Sequence, residues 1–474
     1  MKRVWRATLG LMGAGMMVCI GLLTMARSES FTAPFLVVLG IDDRTGQYRL
    51  YMTALDSDFA RPITRGYDDL YHIDGPTPDG WIYFDTDRYQ QNPTTGLYED
   101  MGGVYRVKFT GGHEQRLVDH PSGSVWWSYA VWLSPDGRTL IYSLEDATTG
   151  RYQLYQVNTD GGEARAITPP SWDAWVETII TDDAETWVIA SVYIFDIGPY
   201  LMRVGVENGD VLNLTPDGAL TYFDRWVAEE EWLLFVADER LWKIRLNGSE
   251  ATPIGPDGIR GWTAWLPDTQ LVVVAAGTPN NAGGAWTTPV VGVRLVDGTV
   301  AWELPSGLWG GLSPNGEWIA YGAYQADTLN YTTIERMRPD GTDHEVLVQL
   351  DKSVYLLAWA PGGQSLYYFV PGSTNSLQLW RLDLTSPPRT ELVAQQNITY
   401  VPDTWSVDWR YIIIGPNWVE VETARQGRIL PHDSNAVFVS WASPSEGKWS
   451  PVGLLVIGGA LVLAGVVRRG GKGR

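Results

Sequence analysis

Three prolines, Pro267, Pro314 and Pro361, stand 47 residues apart. Each opens a turn: Pro267-Asp268, Pro314-Asn315-Gly316 and Pro361-Gly362-Gly363. A fixed period near 47 residues restricts a chain to stacked copies of one small unit, because such a unit cannot bury its own apolar face alone. The best-preserved copy runs from Trp132 to Thr168. Ser134-Pro135-Asp136-Gly137 reads as a tight turn: Pro presets φ, Asp bonds the backbone two residues on, and Gly accepts positive φ. Arg138 to Ser143 is rich in β-branched and aromatic residues and reads as a strand. Tyr152 to Val157 alternates polar and apolar, the pattern of an antiparallel strand. Asn158 to Gly162 is a second turn, and Ala164 to Thr168 a short outer strand. With Ala130-Val131-Trp132 in front, the unit has four short antiparallel strands, which is one β-propeller blade.

Taken in order, further units cover Phe35 to Thr64, Tyr67 to Val118, Trp172 to Thr215, Tyr222 to Gly255, Trp262 to Pro305, Leu308 to Leu350, Val354 to Ala394 and Ile398 to Leu430. The first begins directly at what looks like a second strand, so its innermost strand is missing. Residues 437–443 match the start of a blade and have no following strands. These two half-features predict ring closure, which removes the exposed edges an open array would carry. Counting gives nine units. Propellers typically have four to eight blades, and the units at Tyr222 and Ile398 are weak enough to be a half blade or an insertion. The expectation is therefore an all-β fold, a single propeller over residues 35–443 with eight blades, seven and nine remaining open.

The Trp132–Thr168 unit, with Trp-x-Ser-Pro-Asp-Gly-Arg-x-Leu-x-Tyr followed by x-Leu-Tyr-x-Val-Asn-x-Asp-Gly-Gly-Glu, resembles the repeat of TolB-type β-propellers. It is similar also to the propeller domain of prolyl oligopeptidase-type enzymes. The match is close at 132–168, looser at 309–350 and 354–384, and elsewhere confined to turns. The resemblance implies the fold. It leaves function open, since such propellers serve as interaction platforms, substrate gates and sensors. Two features depart from TolB: a C-terminal apolar segment, and no evident globular domain ahead of the ring.

Composition narrows the function classes. The chain carries a net charge of −20, and its few terminal bases make the middle more acidic still. That excludes nucleic-acid binding, which needs a basic face. Lys2, Arg3 and Arg6 precede the apolar run 7–25, so residues 1–30 read as a signal peptide or an uncleaved signal anchor. Residues 451–467 are apolar and uncharged, and 468–474 hold Arg468, Arg469, Lys472 and Arg474. They read as a transmembrane helix with a basic cytoplasmic tail, joined to the ring by a tether at 444–450. By the positive-inside rule the ring would lie outside the cytoplasm, in a bacterial or archaeal envelope. The single cysteine, Cys19, falls in the first apolar run, so the ring has no disulfide or Cys-based metal site.

No catalytic signature emerges. Gly-x-Ser-x-Gly is absent, as is His-Glu-x-x-His, so neither a hydrolase triad nor a metal or other cofactor is expected. The acidic pairs Asp42-Asp43, Asp68-Asp69 and Asp182-Asp183 and the run Glu229 to Glu231 suit turns and a solvated surface; carboxylates at the channel mouth of a glycan hydrolase or lyase are the alternative. Trp132, Trp265, Trp359 and Trp441 hold one repeat position and read as blade packing. The long loops between second and third strands carry Tyr89, Tyr98, Trp286 and Tyr324. Variable aromatic loops on one face of a rigid scaffold are where ligand binding is expected. The sequence thus predicts a membrane-anchored binding platform for an envelope protein or a cell-surface glycan.

Overall fold

Among the described residues thirty-eight strands form nine four-stranded antiparallel sheets and one two-stranded hairpin. These come from a computed structural model that describes most of residues 35–442; the segments left undescribed inside that span include 55–59, 120–130, 277–288, 397–403 and 406–410. Eight sheets are simple meanders: blade 3, for example, has inner strand Val131–Leu133, then Thr139–Glu145, Tyr152–Asn158 and outer strand Arg165–Ala166. Blade 1 is composite. Its order is Ala60–Pro62, Tyr48–Ala54, Phe35–Asp42 and, innermost, Ser434–Ala442. Phe35 pairs with Ala442 and Val38 with Val439, so the last strand closes the ring on the first.

The ring has nine blades, which corrects the expected eight. Both suspected fragments are complete sheets. Blade 5 consists of Leu220–Val227, Trp232–Ala237, Arg240–Arg245 and Thr252–Ile254. It looks short in sequence because its connections turn without spare residues. Ala228–Glu230 forms a 3-10 turn capped by Glu231 at positive φ (54°), and the Asp238-Glu239 hairpin takes φ of 51° and 58°. Left-handed backbone at non-glycine residues is uncommon, so a Gly-based turn pattern misses both. Blade 9 consists of Thr404–Trp405, Tyr411–Ile414, Asn417–Glu420 and Gln426–Arg428.

The core is divided among the blade junctions. Among the described residues nine clusters of buried apolar side chains occur, and each spans two successive blades, including blade 9 to blade 1. Strand alternation produces this. In Trp232–Ala237, Leu233, Phe235 and Ala237 pack towards blade 4, whereas Trp232, Leu234 and Val236 pack towards blade 6. In Ser365–Pro371, Leu366, Tyr368 and Val370 face blade 7, and Tyr367 and Phe369 face blade 9. The closing junction alone buries Val38, Tyr51, Tyr411, Ile413, Trp418, Ile429 and Leu430. At about 1.5–3 kcal/mol per buried side chain, each junction offsets a large share of the ordering entropy of its blades.

Antiparallel alternation gives the ring two faces. Turns from inner to second strand and from third to outer strand share one, called here the turn face. Loops from second to third strand share the other, the loop face, with the connections between blades. On the turn face one device repeats. The Ser134 hydroxyl donates to Asp136 (2.6 Å) and accepts from the Thr139 N–H (2.9 Å). Thr77 with Asp79 and Ser313 with Asn315 do the same.

A second device staples neighbours together. A cation or indole donates to the carbonyl just beyond the third strand of the next blade. Arg61 reaches Thr110, and Arg106 reaches Thr159 (2.6 Å). Arg165 reaches Val206, and Arg203 reaches Leu246 (3.0 Å). Lys243 reaches Leu295 (2.6 Å), and Trp302 reaches Pro339 (2.8 Å). These six contacts join blades 1 to 7 in unbroken succession, and five of them are charge-assisted, the stronger class of hydrogen bond.

Candidate functional site

Of the repeat tryptophans, Trp359 is buried, with its indole N–H donating to Gly311 (3.0 Å), and Trp132 and Trp265 are half-buried in junction cores. The strand Ser434–Ala442 carries Trp441. The acidic groups that can be followed do turn work. The Asp42 carboxylate accepts from the N–H groups of Arg44 and Thr45. Among the described residues no group of His, Cys, Asp and Glu has a metal-binding arrangement.

The aromatic loop residues are placed only by their backbone. Tyr89 and Tyr98 sit on a two-stranded hairpin in the loop of blade 2, with Tyr89 opposite Asp100 and Gln91 opposite Tyr98. Tyr324 is the penultimate residue of the second strand of blade 7, Ile319–Gln325, opposite Tyr331. Trp286 lies outside the described residues. Blades 2 and 7 are not neighbours, so these residues do not converge on one blade junction.

A different set converges on the loop face where blade 3 meets blade 4. The inner strand of blade 4, Trp172–Thr181, pairs with Thr186–Ile194. Asp173 faces Tyr193 and Trp175 faces Ser191. Directly opposed residues lie on one face of a sheet, so these four side chains share a surface. Tyr152, the first residue of the third strand of blade 3, completes it. Its ring centroid is 5.6 Å from that of Trp175, tilted by 40°. Tyr193 stands edge-on to Trp175 at 5.7 Å and 89°, the favoured T-shaped geometry, and is 41% exposed. The three rings form a partly exposed aromatic corner.

Carboxylates surround it. Glu145 accepts from the Tyr152 hydroxyl (2.8 Å), which orients that ring. Asp173 accepts from the Tyr152 N–H (2.9 Å), tying the two blades together beneath the corner. Burial holds the Asp173 carboxyl above its ordinary range, opposed by that hydrogen bond and by nearby Arg151. Glu177 is placed by a defect in the ladder. Val176 pairs with Ala190 and Thr178 with Ile189, so Glu177 is the extra residue of a β-bulge. It keeps solvent access although protein surrounds it. The Ser191 hydroxyl donates to its carboxylate. Burial raises the Glu177 carboxyl above the usual carboxylate range, with the Ser191 bond acting against the shift.

Chemically, this is a recognition surface with acceptors and exposed π-faces but few donors. Sequence reasoning missed it because its members come from three strands of two blades. One signal was available: Trp175 lies outside the repeat position that Trp132 and Trp359 occupy, so blade packing does not account for it. The turn face offers a weaker candidate, a shallow groove of about 390 Å³ beside Thr269, Glu317, Arg338 and Asp343. There Arg338 is already paired with Glu317 (3.7 Å) and Asp343 (3.6 Å).

No protein-family model matches the chain, and no curated protein matches it. Solved structures do. A eukaryotic initiation factor aligns over 77% of this chain and 89% of its own at 14% identity, with a TM-score of 0.45. An oligogalacturonate lyase in complex with manganese covers 66% of this chain and 88% of its own at 15% identity, TM-score 0.40. TolB from Acinetobacter baumannii covers 65% of this chain and 79% of its own at 16% identity, TM-score 0.28. By its own sheet order this chain is a nine-bladed propeller of four-stranded antiparallel blades.

Proposed function

We propose that the chain is an extracytoplasmic binding propeller, held at a membrane by its apolar ends, whose loop face engages an envelope protein or a cell-surface glycan. The observation that carries this reading is the Tyr152–Trp175–Tyr193 corner, an aromatic surface left partly open on the loop face. Exposed, rigid aromatics are the usual anchors of binding sites. The topology supports the orientation. Phe35 starts a second strand and Ala442 ends an inner strand, so both ring termini are at the turn face. A tether at either end leaves the loop face pointing away from the membrane. No helix among the described residues is long and apolar enough to cross a membrane; the expected spans, 1–30 and 451–467, lie outside them, as do the tether and the tail.

Two measurements test this. Protease and biotin accessibility in intact cells should find the ring outside the cytoplasm. Crosslinking from a photoreactive residue at position 193 should then capture an envelope component. A cytoplasmic ring, or crosslinking equal to that from turn-face position 340, would overturn the proposal. A second reading, a glycan-active hydrolase or lyase, is favoured by the raised carboxyls of Asp173 and Glu177 near the inner strand, since general acids are tuned upward by burial. A polysaccharide screen in which Glu177→Gln abolishes turnover would establish it.

A further inference from the structure

The chain uses tryptophan in two contrasting ways. On the turn face, Trp81 lies under both Arg106 (4.3 Å) and Lys108 (4.0 Å). Trp232 lies under Arg245 (3.7 Å) and Lys243 (4.6 Å), and Trp318 under Arg336 and Arg338 (4.1 Å each). These rings are saturated with the chain's own cations, because basic residues alternate on the third strand opposite each of them. On the loop face, Trp175 has the complementary surroundings. It has carboxylates nearby and aromatic neighbours, and no cation sits over it among the described contacts.

The carboxylates have the same incompleteness. Glu145 and Glu177 are each engaged by a hydroxyl, from Tyr152 and Ser191. Arg151 acts on Asp173 and donates to the Ser171 carbonyl (2.8 Å). Glu177 is open to solvent and its carboxylate has a neutral hydroxyl as partner, so an incoming opposite charge can reach it, and a net charge of −20 attracts cations over long range. An aromatic face flanked by acids is also the composition that recognises ammonium and guanidinium groups.

We propose that the corner formed by Trp175, Tyr193 and Glu177 is the seat for a lysine or arginine side chain on a basic segment of a partner protein. This rests on the reading of the loop face as a binding surface and specifies what it binds. The incoming side chain lays its alkyl stem along Trp175 and Tyr193 and brings its charge to Glu177. Ser191, already donating to that carboxylate, keeps it facing the seat. A neutral sugar would leave the carboxylate without a counter-charge, which is why the cation is favoured over a glycan.

The test is titration of the full-length protein in detergent with hexalysine, spermidine and a neutral hexasaccharide, followed calorimetrically at low and physiological salt. Hexalysine is expected to bind, with affinity falling as salt rises. Glu177→Gln and Trp175→Leu should each weaken it about tenfold, while the turn-face double variant Asp340→Asn/Asp343→Asn leaves it unchanged. Near-UV circular dichroism separates loss of the seat from loss of the fold, and Trp175→Phe should keep part of the affinity. Equal weakening by the turn-face variant would reduce the effect to general acidity and overturn the proposal. So would preference for the hexasaccharide, or spermidine binding as tightly as hexalysine. If position 193 crosslinks an envelope component while hexalysine fails to bind, the binding-surface reading stands and the cation seat falls.

Discussion

The indole N–H of Trp302, in the outer strand of blade 6, donates to the Pro339 carbonyl of blade 7 at 2.8 Å. The same ring covers two glycines. A Cβ at Gly292 would meet Trp302 Cε2 at 2.3 Å, and one at Gly341 would meet Trp302 Cβ at 2.5 Å. Trp302→Phe keeps the packing and removes the donor, leaving a buried carbonyl short of a partner. It should destabilise by about 1–3 kcal/mol. Gly341→Ala should cost more, because φ there is 88° and the added carbon has no room. Urea midpoints of the two variants check both magnitude and order.

Lys243 is the most buried cation of the stapled face, 7% exposed, and its ammonium donates to Leu295 and to Val296 (3.0 Å). Lys243→Met preserves the stem and removes both bonds, at an expected cost of about 2 kcal/mol. Because the contact is buried, 0.5 M salt should leave that difference nearly unchanged, whereas a surface ion pair would be screened. Denaturation of wild type and variant at two salt concentrations decides.

Glu177 gives a pH signature. Its carboxyl is raised in the folded ring relative to 4.5, so the folded state holds the proton more tightly than the unfolded state does. Stability therefore falls as pH rises through the window from 4.5 to the folded value, and is level above it. Glu177→Gln, which can still accept from Ser191, should melt higher than wild type near neutral pH. The two should converge below about pH 4. A thermal melt series across that range would show the convergence, and a constant gap would contradict it.

Ring closure depends on one strand. A chain ending at Leu430 exposes the edge of Phe35–Asp42 and should self-associate, since open edges template pairing. Supplying a peptide of residues 431–443 should return it to monomer by strand addition. Light scattering with and without the peptide reads the outcome.

Most of the ring is legible in sequence because its determinants are local. Ser134, Pro135, Asp136 and Gly137 act within one turn, and the alternation in Tyr152–Asn158 acts within one strand. The absent inner strand ahead of Phe35 and the surplus strand before Ser443 are legible for the same reason. Blade number was harder, because Glu231, Asp238 and Glu239 take left-handed backbone without glycine. The candidate site was hidden for a different reason. Glu177 owes its position to a register shift, and no local pattern marks where a ladder slips. Trp175 and Tyr193 meet across one strand pair, and Tyr152 joins them only because blade 3 packs on blade 4. The loop aromatics are conspicuous in sequence, yet Tyr89 and Tyr98 lie on blade 2 and Tyr324 on blade 7, which are not neighbours.

The pairing of Phe35 with Ala442 has a mechanical meaning. Any load carried through the two ends of the ring enters at adjacent points on a single pair of antiparallel strands. Such a pair opens like a zipper, one rung at a time, and resists far less than strands sheared along their length. Blade 1 is thus the weak link under tension, and tugging would open the ring there while the other eight sheets hold together.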